Sequence, residues 1–246
     1  MLLDEAFSRS ARRYDVLTQL NPGYRRELRR ATRKLAALLP DDVEYPLIWD
    51  LGCGTGLSTQ AVLETIPNAR VVGVDASAGM LEAARAKTWP ADVSFILDRV
   101  ENLSHNPAPE LETTPDGVFA AYLLRNVPED QRTAVLTNIR AAMKPGAPLV
   151  LHDYSVAESW QAQVTWTLVC FAIIIPLSAL CGAKPRLFTY LWRSVLHNDS
   201  TRTVMRRLAR AGFQRGAVFT ARGWHRNILH TYTAVNKGHP NNVTPY

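Results

Sequence analysis

Hydrophobic positions between Pro46 and Asp153 follow two alternating patterns. Short, mostly β-branched apolar runs are typical of buried strands, and segments with apolar residues every three to four positions are typical of helices. The runs predict strands at 46–52, 70–77, 93–99, 117–124 and 147–155, and the helical periods fall at 57–69, 78–87 and 129–143. Strands joined through helices pair in parallel, because a parallel pair needs a long crossover. The pattern therefore predicts a doubly wound α/β sheet.

Segments on either side of this core complete the predicted organisation. Residues 1–40 contain one or two basic amphipathic helices, and residues 101–115 have no period and are predicted to form a loop. Two later strands, at 215–221 and 230–236, bring the predicted sheet to seven mostly parallel strands with helices on both faces. We therefore expect a helical cap at 1–40, an α/β domain at 41–235 and a flexible tail at 236–246.

An apolar stretch interrupts the sheet after its fifth strand. Residues 164–183 are almost uncharged and nearly reach the roughly 20 residues that a membrane span requires, although Pro176 lies in the middle. The stretch belongs to a helical insertion at 156–193 that is predicted to cover a substrate. Three other interpretations stay open: contact with a membrane interface, a membrane span and a homodimer interface. A substrate cover this apolar would fit a lipid-like substrate.

The charge and the cysteines narrow the class of protein. The net charge of +6 lies largely in two amphipathic helices, at 24–35 and 201–213, whose apolar stripes favour solvated outer faces over nucleic-acid binding. A basic face could also rest on anionic lipid. The three cysteines share no metal-ligand spacing and the N-terminus is charged, so we expect no metal and a cytoplasmic protein, at most peripheral to the inner face of a membrane.

A glycine-rich turn follows the first predicted strand in the sequence "WDLGCGTG". Gly52, Gly54 and Gly56 allow positive φ angles and let a ligand approach the main chain closely. The dinucleotide-binding fingerprint requires a third glycine where Leu57 stands, which disfavours a nicotinamide-dependent dehydrogenase.

Two carboxylates flank this turn. Asp50 would repel a pyrophosphate and suits a cationic ligand. Asp75 ends the second strand about twenty residues later, where a carboxylate accepts hydrogen bonds from both ribose hydroxyls of an adenosine ligand. The combination indicates a nucleoside with a positive charge.

These motifs resemble those of the class I S-adenosylmethionine-dependent methyltransferases. Within them the chain is similar to the C-methyltransferases of ubiquinone and menaquinone biosynthesis, through "FSRSARRYDVLTQL", "LLRNVPED", "MKPGAPLVLHDYS" and "YLWRSV". The resemblance implies S-adenosyl-L-methionine as cofactor. It places the methionine part at Gly52, Cys53, Gly54, Thr55 and Gly56, with Asp50 facing its amino group.

The resemblance also implies an adenosine end of the site. Ribose and adenine would contact Asp75, Ala76 and Met80. At the family's adenine motif this chain instead reads "DRVENLS", with Arg99 in the place of the family's acid. Either Asp98 or the backbone near Val100 would therefore bind adenine. Ala121 and Leu123 replace smaller residues of the family and narrow the floor of the pocket.

Residues just past the strands are the candidates for the reacting end, since ligands of open α/β sheets lie beyond the carboxyl ends of the strands. Arg125 would stabilise a phenolate and Asn126 would orient the substrate, although Arg125 could equally be the ion-pair partner of a buried acid. His152 could act as a base or only as a structural hydrogen-bonding group. Asp153 falls where the resembled family carries an acid, and His230 matches a histidine of that family.

The sequence therefore predicts a methyltransferase that acts on a hydrophobic small molecule. C-methylation of a prenylated quinone precursor is the leading interpretation. The alternatives are O- or C-methylation of another lipid or aromatic metabolite, and a noncatalytic membrane- or protein-binding module that keeps the fold.

Overall fold

The computed structural model of the protein describes residues 23–89, 92–103, 108–180 and 185–238. It contains a seven-stranded sheet, as predicted. The strands are β1 (Leu47–Leu51), β2 (Arg70–Asp75), β3 (Val93–Leu97), β4 (Gly117–Ala121), β5 (Pro148–Tyr154), β6 (Phe213–Thr220) and β7 (Leu229–Asn236). The part of the predicted cap before residue 23 and the tail after residue 238 lie outside the described residues.

The order of the strands is β3-β2-β1-β4-β5-β7-β6, and β1 to β5 pair in parallel. Strand β7 runs antiparallel to both β5 and β6, so the sheet is doubly wound and mostly parallel. Because β2 and β4 flank β1, the turns after these three strands meet at one edge of the sheet. This edge is the expected position of a ligand.

Eight α-helices are described. They are α1 (Tyr24–Ala36), α2 (Leu57–Thr65), α3 (Ala78–Arg85), α4 (Arg132–Ala141), α5 (Trp160–Val169), α6 (Ile175–Leu180), α7 (Pro185–Leu196) and α8 (Thr201–Arg210). The starts of α3, α5 and α8 are fixed by serine caps, in which Ser77, Ser159 and Ser200 accept hydrogen bonds from backbone amides of the first turn.

The first helix belongs to the core of the α/β domain. Leu28, Ala31 and Leu35 of α1 are buried and pack with α2 and with one face of the sheet. On its outer side Lys34 lies over the ring of Phe219, with Nζ 3.2 Å from the ring centroid. The predicted boundary at residue 40 therefore does not separate this helix from the domain, because its apolar stripe is buried against the sheet.

The apolar insertion is a helix that continues through a π-helical segment (Cys170–Ile174) into α6. The amide of Ile175 donates to the carbonyl of Cys170, a wider spacing that accommodates Pro176 without breaking the helix. Over Trp160–Leu177 the mean hydropathy is 1.5, enough by length and composition to cross a membrane, but only 17% of these residues are buried. One side of the insertion therefore faces outward, and its role as a substrate cover stays a prediction.

Candidate active site

The turn after β1 holds three glycines in the left-handed region. The φ angles are 73° at Gly52, 55° at Gly54 and 84° at Gly56. A Cβ atom on Gly54 would meet no other atom within 4 Å, whereas one on Gly56 would lie 2.7 Å from the ring of Trp89. Gly54 therefore leaves room for a ligand against the main chain, and Gly56 leaves room for the protein's own packing.

The carboxylate of Asp75 is tied to this turn. One of its oxygens accepts a hydrogen bond from the amide of Gly54 and the other from the amide of Ser77, each at 2.8 Å. An ionised carboxylate has about four acceptor positions, so both oxygens can still accept from the hydroxyls of a ribose. Asp75 thus links the shape of the glycine turn to the predicted ribose position.

A cavity of about 160 Å³ lies at this edge of the sheet. It brings together most of the residues predicted from the sequence. Those that line it are Gly52, Cys53, Gly54, Thr55, Asp75, Ala76, Met80, Asp98, Arg99, Val100, Ala121, Arg125 and Asn126. The cavity therefore extends from the ends of β2 and β3, past β1, to the end of β4.

Two residues predicted to bind the cofactor do not line this cavity. Asp50 is fully buried beneath the turn, where it accepts hydrogen bonds of 2.7 Å from the hydroxyls of Ser58 and Thr59. Burial raises the pKa of Asp50 to about 6. Gly56 starts α2 behind the turn, against Trp89. The structure assigns both residues to support of the turn rather than to its exposed side.

Cys53 lines the cavity and is 4% exposed. Burial, together with the negative charges of Asp50 and Asp75, raises the pKa of its thiol. A thiol with a raised pKa stays protonated and is a poor nucleophile. Cys53 is thus a small packing residue in the wall of this site rather than a nucleophile.

Arg125 and Asn126 form a polar frame at the other end of the cavity. The Arg125 guanidinium lies 3.4 Å (Nε–Oδ1) from the buried Asp153, and its Nη1 donates to Ser194 and to Asn126, each at 3.1 Å. Asn126 accepts a second hydrogen bond from the hydroxyl of Tyr190, at 3.2 Å. The predicted ion pair and the predicted position at the site are therefore both present.

Three other candidates from the reacting end are not among the residues that line the cavity: His152, Asp153 and His230. His152 is 1% exposed, its Nδ1 lies 2.9 Å from the hydroxyl of Thr231, and burial lowers its pKa to about 3. Burial likewise raises the pKa of Asp153 and lowers that of His230, which bonds to Thr220 and to the carbonyl of Ser155. In this arrangement Asp153 positions Arg125, and both histidines are buried hydrogen-bonding groups.

Two tyrosines that line the cavity were not predicted as site residues from the sequence. Tyr24 from α1 stacks on Tyr122 with ring centroids 5.4 Å apart, and Tyr122 stacks on Tyr154. Tyr122 has a φ of 57°, which is uncommon for a residue with a side chain. This backbone angle ends β4 at Ala121, three residues before the predicted end at 124. The positive φ could not be read from its residue type.

Comparisons with known proteins match the chain to methyltransferases. The sequence model of a family described as "Methyltransferase domain" matches residues 48–146, which include the glycine turn, Asp75 and Arg125. A demethylmenaquinone methyltransferase of Symbiobacterium thermophilum is 30% identical over 200 residues, which cover 78% of this chain and 76% of that protein. A ubiquinone/menaquinone biosynthesis C-methyltransferase of Syntrophotalea carbinolica is 34% identical over 61% of this chain and 60% of its own.

Solved structures support the fold. The plantazolicin methyltransferase BpumL, in complex with a triazolic desmethylPZN analogue and SAH, superimposes with a TM-score of 0.62 over 96% of both chains at 12% identity. An open glycine turn and a strand-end carboxylate suit the amino-acid and ribose parts of S-adenosylmethionine, the cofactor of the protein. The chain therefore belongs to the class I S-adenosylmethionine-dependent methyltransferases and, among them, resembles the C-methyltransferases of ubiquinone and menaquinone biosynthesis.

Proposed function

We propose that the enzyme methylates a ring carbon of a prenylated quinone precursor. The similarity to demethylmenaquinone and ubiquinone/menaquinone methyltransferases supports this substrate class. The observation that carries the proposal is the position of Arg125. Its guanidinium lies in the cavity wall at the end of β4, on the other side of β1 from Asp75, whose carboxylate is predicted to bind the ribose.

A ring carbon becomes a nucleophile when a neighbouring ring hydroxyl is ionised. Arg125 carries a permanent positive charge, and a charge-assisted hydrogen bond from it would stabilise the resulting oxyanion. No histidine is among the described residues that line the cavity. The guanidinium therefore promotes ionisation by lowering the pKa of the substrate hydroxyl, whose proton passes to solvent without a histidine base in contact with the ring. After methyl transfer the ring carbon loses its own proton to solvent, which restores the aromatic ring.

Neighbouring residues hold this group in place. Asp153 lies beside Nε of Arg125, and Ser194 and Asn126 both accept from its Nη1, so the side chain is fixed before a substrate binds. S-adenosylmethionine supplies an electrophilic methyl group on a cationic sulfur. The chain must hold that methyl in line with the ring carbon and exclude water, for which the glycine turn and the tyrosines of the wall are suited.

The proposal is tested with cofactor labelled by ¹³C in its methyl group and a reduced demethylmenaquinone with a short prenyl chain in detergent. Carbon NMR of the product separates a methyl on carbon from one on oxygen. A C-methyl product that Arg125→Lys forms at least ten times more slowly would support the proposal. An O-methyl product would instead favour the alternative methyltransferase, and cofactor binding without methylation of any hydrophobic aromatic would favour a noncatalytic module.

A further inference from the structure

The outer side of the apolar insertion carries a continuous row of large hydrophobic side chains. Its members are spaced three to four residues apart along α5 and recur in the π segment. We call these residues, with their exposed fractions, the docking row: Trp160 (71%), Val164 (49%), Leu168 (62%) and Phe171 (51%). An exposed apolar row of this kind is typical of an interaction surface.

The inner side of the same helix is attached to the domain. Ala162, Trp166 and Cys170 are buried, and the Trp166 ring stacks on Tyr154 of β5 at 5.2 Å. The insertion cannot be surrounded by lipid while it keeps these contacts. If the helix lies along a surface, its outer side can contact that surface while its inner side keeps its contacts with the domain.

The charges on the face of the sheet that carries the docking row favour an anionic surface. Residues 160–180 contain no charged side chain. The helices on this face of the sheet, α1, α2, α5, α6 and α7, carry eight basic and two acidic residues. A symmetric dimer through the row would bring two such basic layers together, which costs free energy.

We propose that the docking row binds the surface of a bilayer that contains anionic phospholipids. The apolar side chains enter the boundary between headgroups and acyl chains, and arginines of α1 contact the phosphates. The helix lies in the plane of the membrane and the sheet stays outside it.

This surface is directly connected to the substrate end of the cavity. Phe171 packs edge-on against Trp192 of α7 at 5.2 Å, and the Trp192 indole donates to Thr167 at 3.1 Å. The same helix carries Tyr190 and Ser194, which bond to Asn126 and Arg125. Docking would therefore bring the substrate end of the site close to lipid, an advantage that rests on the proposed function.

The test is sedimentation of the full chain with vesicles of phosphatidylcholine alone or mixed equally with phosphatidylglycerol. We expect the wild type to bind the anionic vesicles at least ten times more tightly, and Leu168→Glu to lose at least ten-fold of that affinity. Val218→Glu is the matched control, since Val218 is 42% exposed on β6 and outside the row. It should change binding by less than two-fold.

A second pair of variants tests the basic layer. Arg25→Ala with Arg33→Ala removes two exposed charges from α1, and Arg206→Ala with Arg210→Ala removes two from α8, which packs on the other face of the sheet. Only the first pair should weaken binding, by about thirty-fold, since each of the two basic residues near an anionic surface contributes about 1 kcal/mol, or about five-fold.

Several results would overturn the proposal. They are equal binding to neutral and anionic vesicles, wild-type binding by Leu168→Glu, or a dimer in sedimentation velocity that Leu168→Glu dissociates. Calorimetry with S-adenosylhomocysteine shows that each variant is folded. Because methylation in detergent needs no bilayer, failure of docking and failure of the proposed function are separately visible.

Discussion

Gly54 and Gly56 are required in the glycine turn for different reasons, although both have positive φ angles. At Gly54 an added Cβ would project into open space at the cavity, and at Gly56 it would strike Trp89. Alanine at position 54 should therefore impair cofactor binding, and alanine at position 56 should impair folding. Comparing the two variants therefore shows which glycine is required for ligand binding and which is required for packing.

The magnitudes follow from the two environments. A residue with a Cβ in the left-handed region costs about 1–2 kcal/mol, which is the whole expected loss of stability for Gly54→Ala. Gly56→Ala adds an overlap, with Trp89 ring carbons 2.7 and 2.8 Å from the new Cβ. Overpacking costs about 1–3 kcal/mol, so the total for Gly56→Ala is about 2–5 kcal/mol.

Urea unfolding measures the free energy of unfolding of both variants, and calorimetry with S-adenosylhomocysteine measures affinity. We expect Gly54→Ala to lose at least ten-fold in affinity, and Gly56→Ala to retain more affinity in the folded state. Trp89→Leu should relieve the overlap, so Gly56→Ala should cost less in that background. Equal losses of stability at positions 54 and 56, or no coupling to Trp89, would refute the reasoning.

Three further predictions concern the rest of the site. Asp75→Asn should weaken binding of S-adenosylhomocysteine by about 1–3 kcal/mol through lost charged hydrogen bonds, and unchanged calorimetric affinity would contradict the ribose assignment. Arg125→Lys keeps a charge beside Asp153 but loses the forked contacts, so kcat should fall at least ten-fold with cofactor affinity within two-fold; a normal kcat would remove Arg125 from the chemistry. Since the pKa of His152 is lowered from 6.5 to about 3, the unfolded state binds the proton first as pH falls. About 2 kcal/mol of stability should therefore be lost between pH 7.5 and pH 5, and His152→Asn should reduce this loss in urea unfolding; an equal loss in both proteins would contradict the assignment.

The cofactor end of the site could be predicted because its residues act locally. Gly52, Gly54 and Asp75 directly follow or end two strands, and the strands were evident from their apolar runs. Parallel neighbours place such positions at one edge of the sheet whatever the rest of the chain does. Residue type and strand position were therefore sufficient to predict the cofactor end of the site.

The same rule did not hold for the end of β5. It assumes that residues at a strand's carboxyl end are open to a ligand, yet β7 pairs along all of β5, from Pro148 with Val235 to Tyr154 with Leu229. His152 and Asp153 thus lie inside the sheet rather than at its open edge. The antiparallel return of β7 was predicted as a strand, but its register could not be read from its apolar pattern.

Contacts between distant segments determine the substrate end. Arg125 is fixed by Asp153 and by Ser194, which lie 28 and 69 residues later in the chain. A buried guanidinium without such partners would carry a large desolvation cost, so its position depends on the contacts with β5 and α7. Because α7 also packs beneath the docking row through Trp192, changes in that row can reach the charge that would activate the substrate. The substrate end and the helix that carries the docking row are therefore one structural unit, and the cofactor end is fixed independently by the sheet.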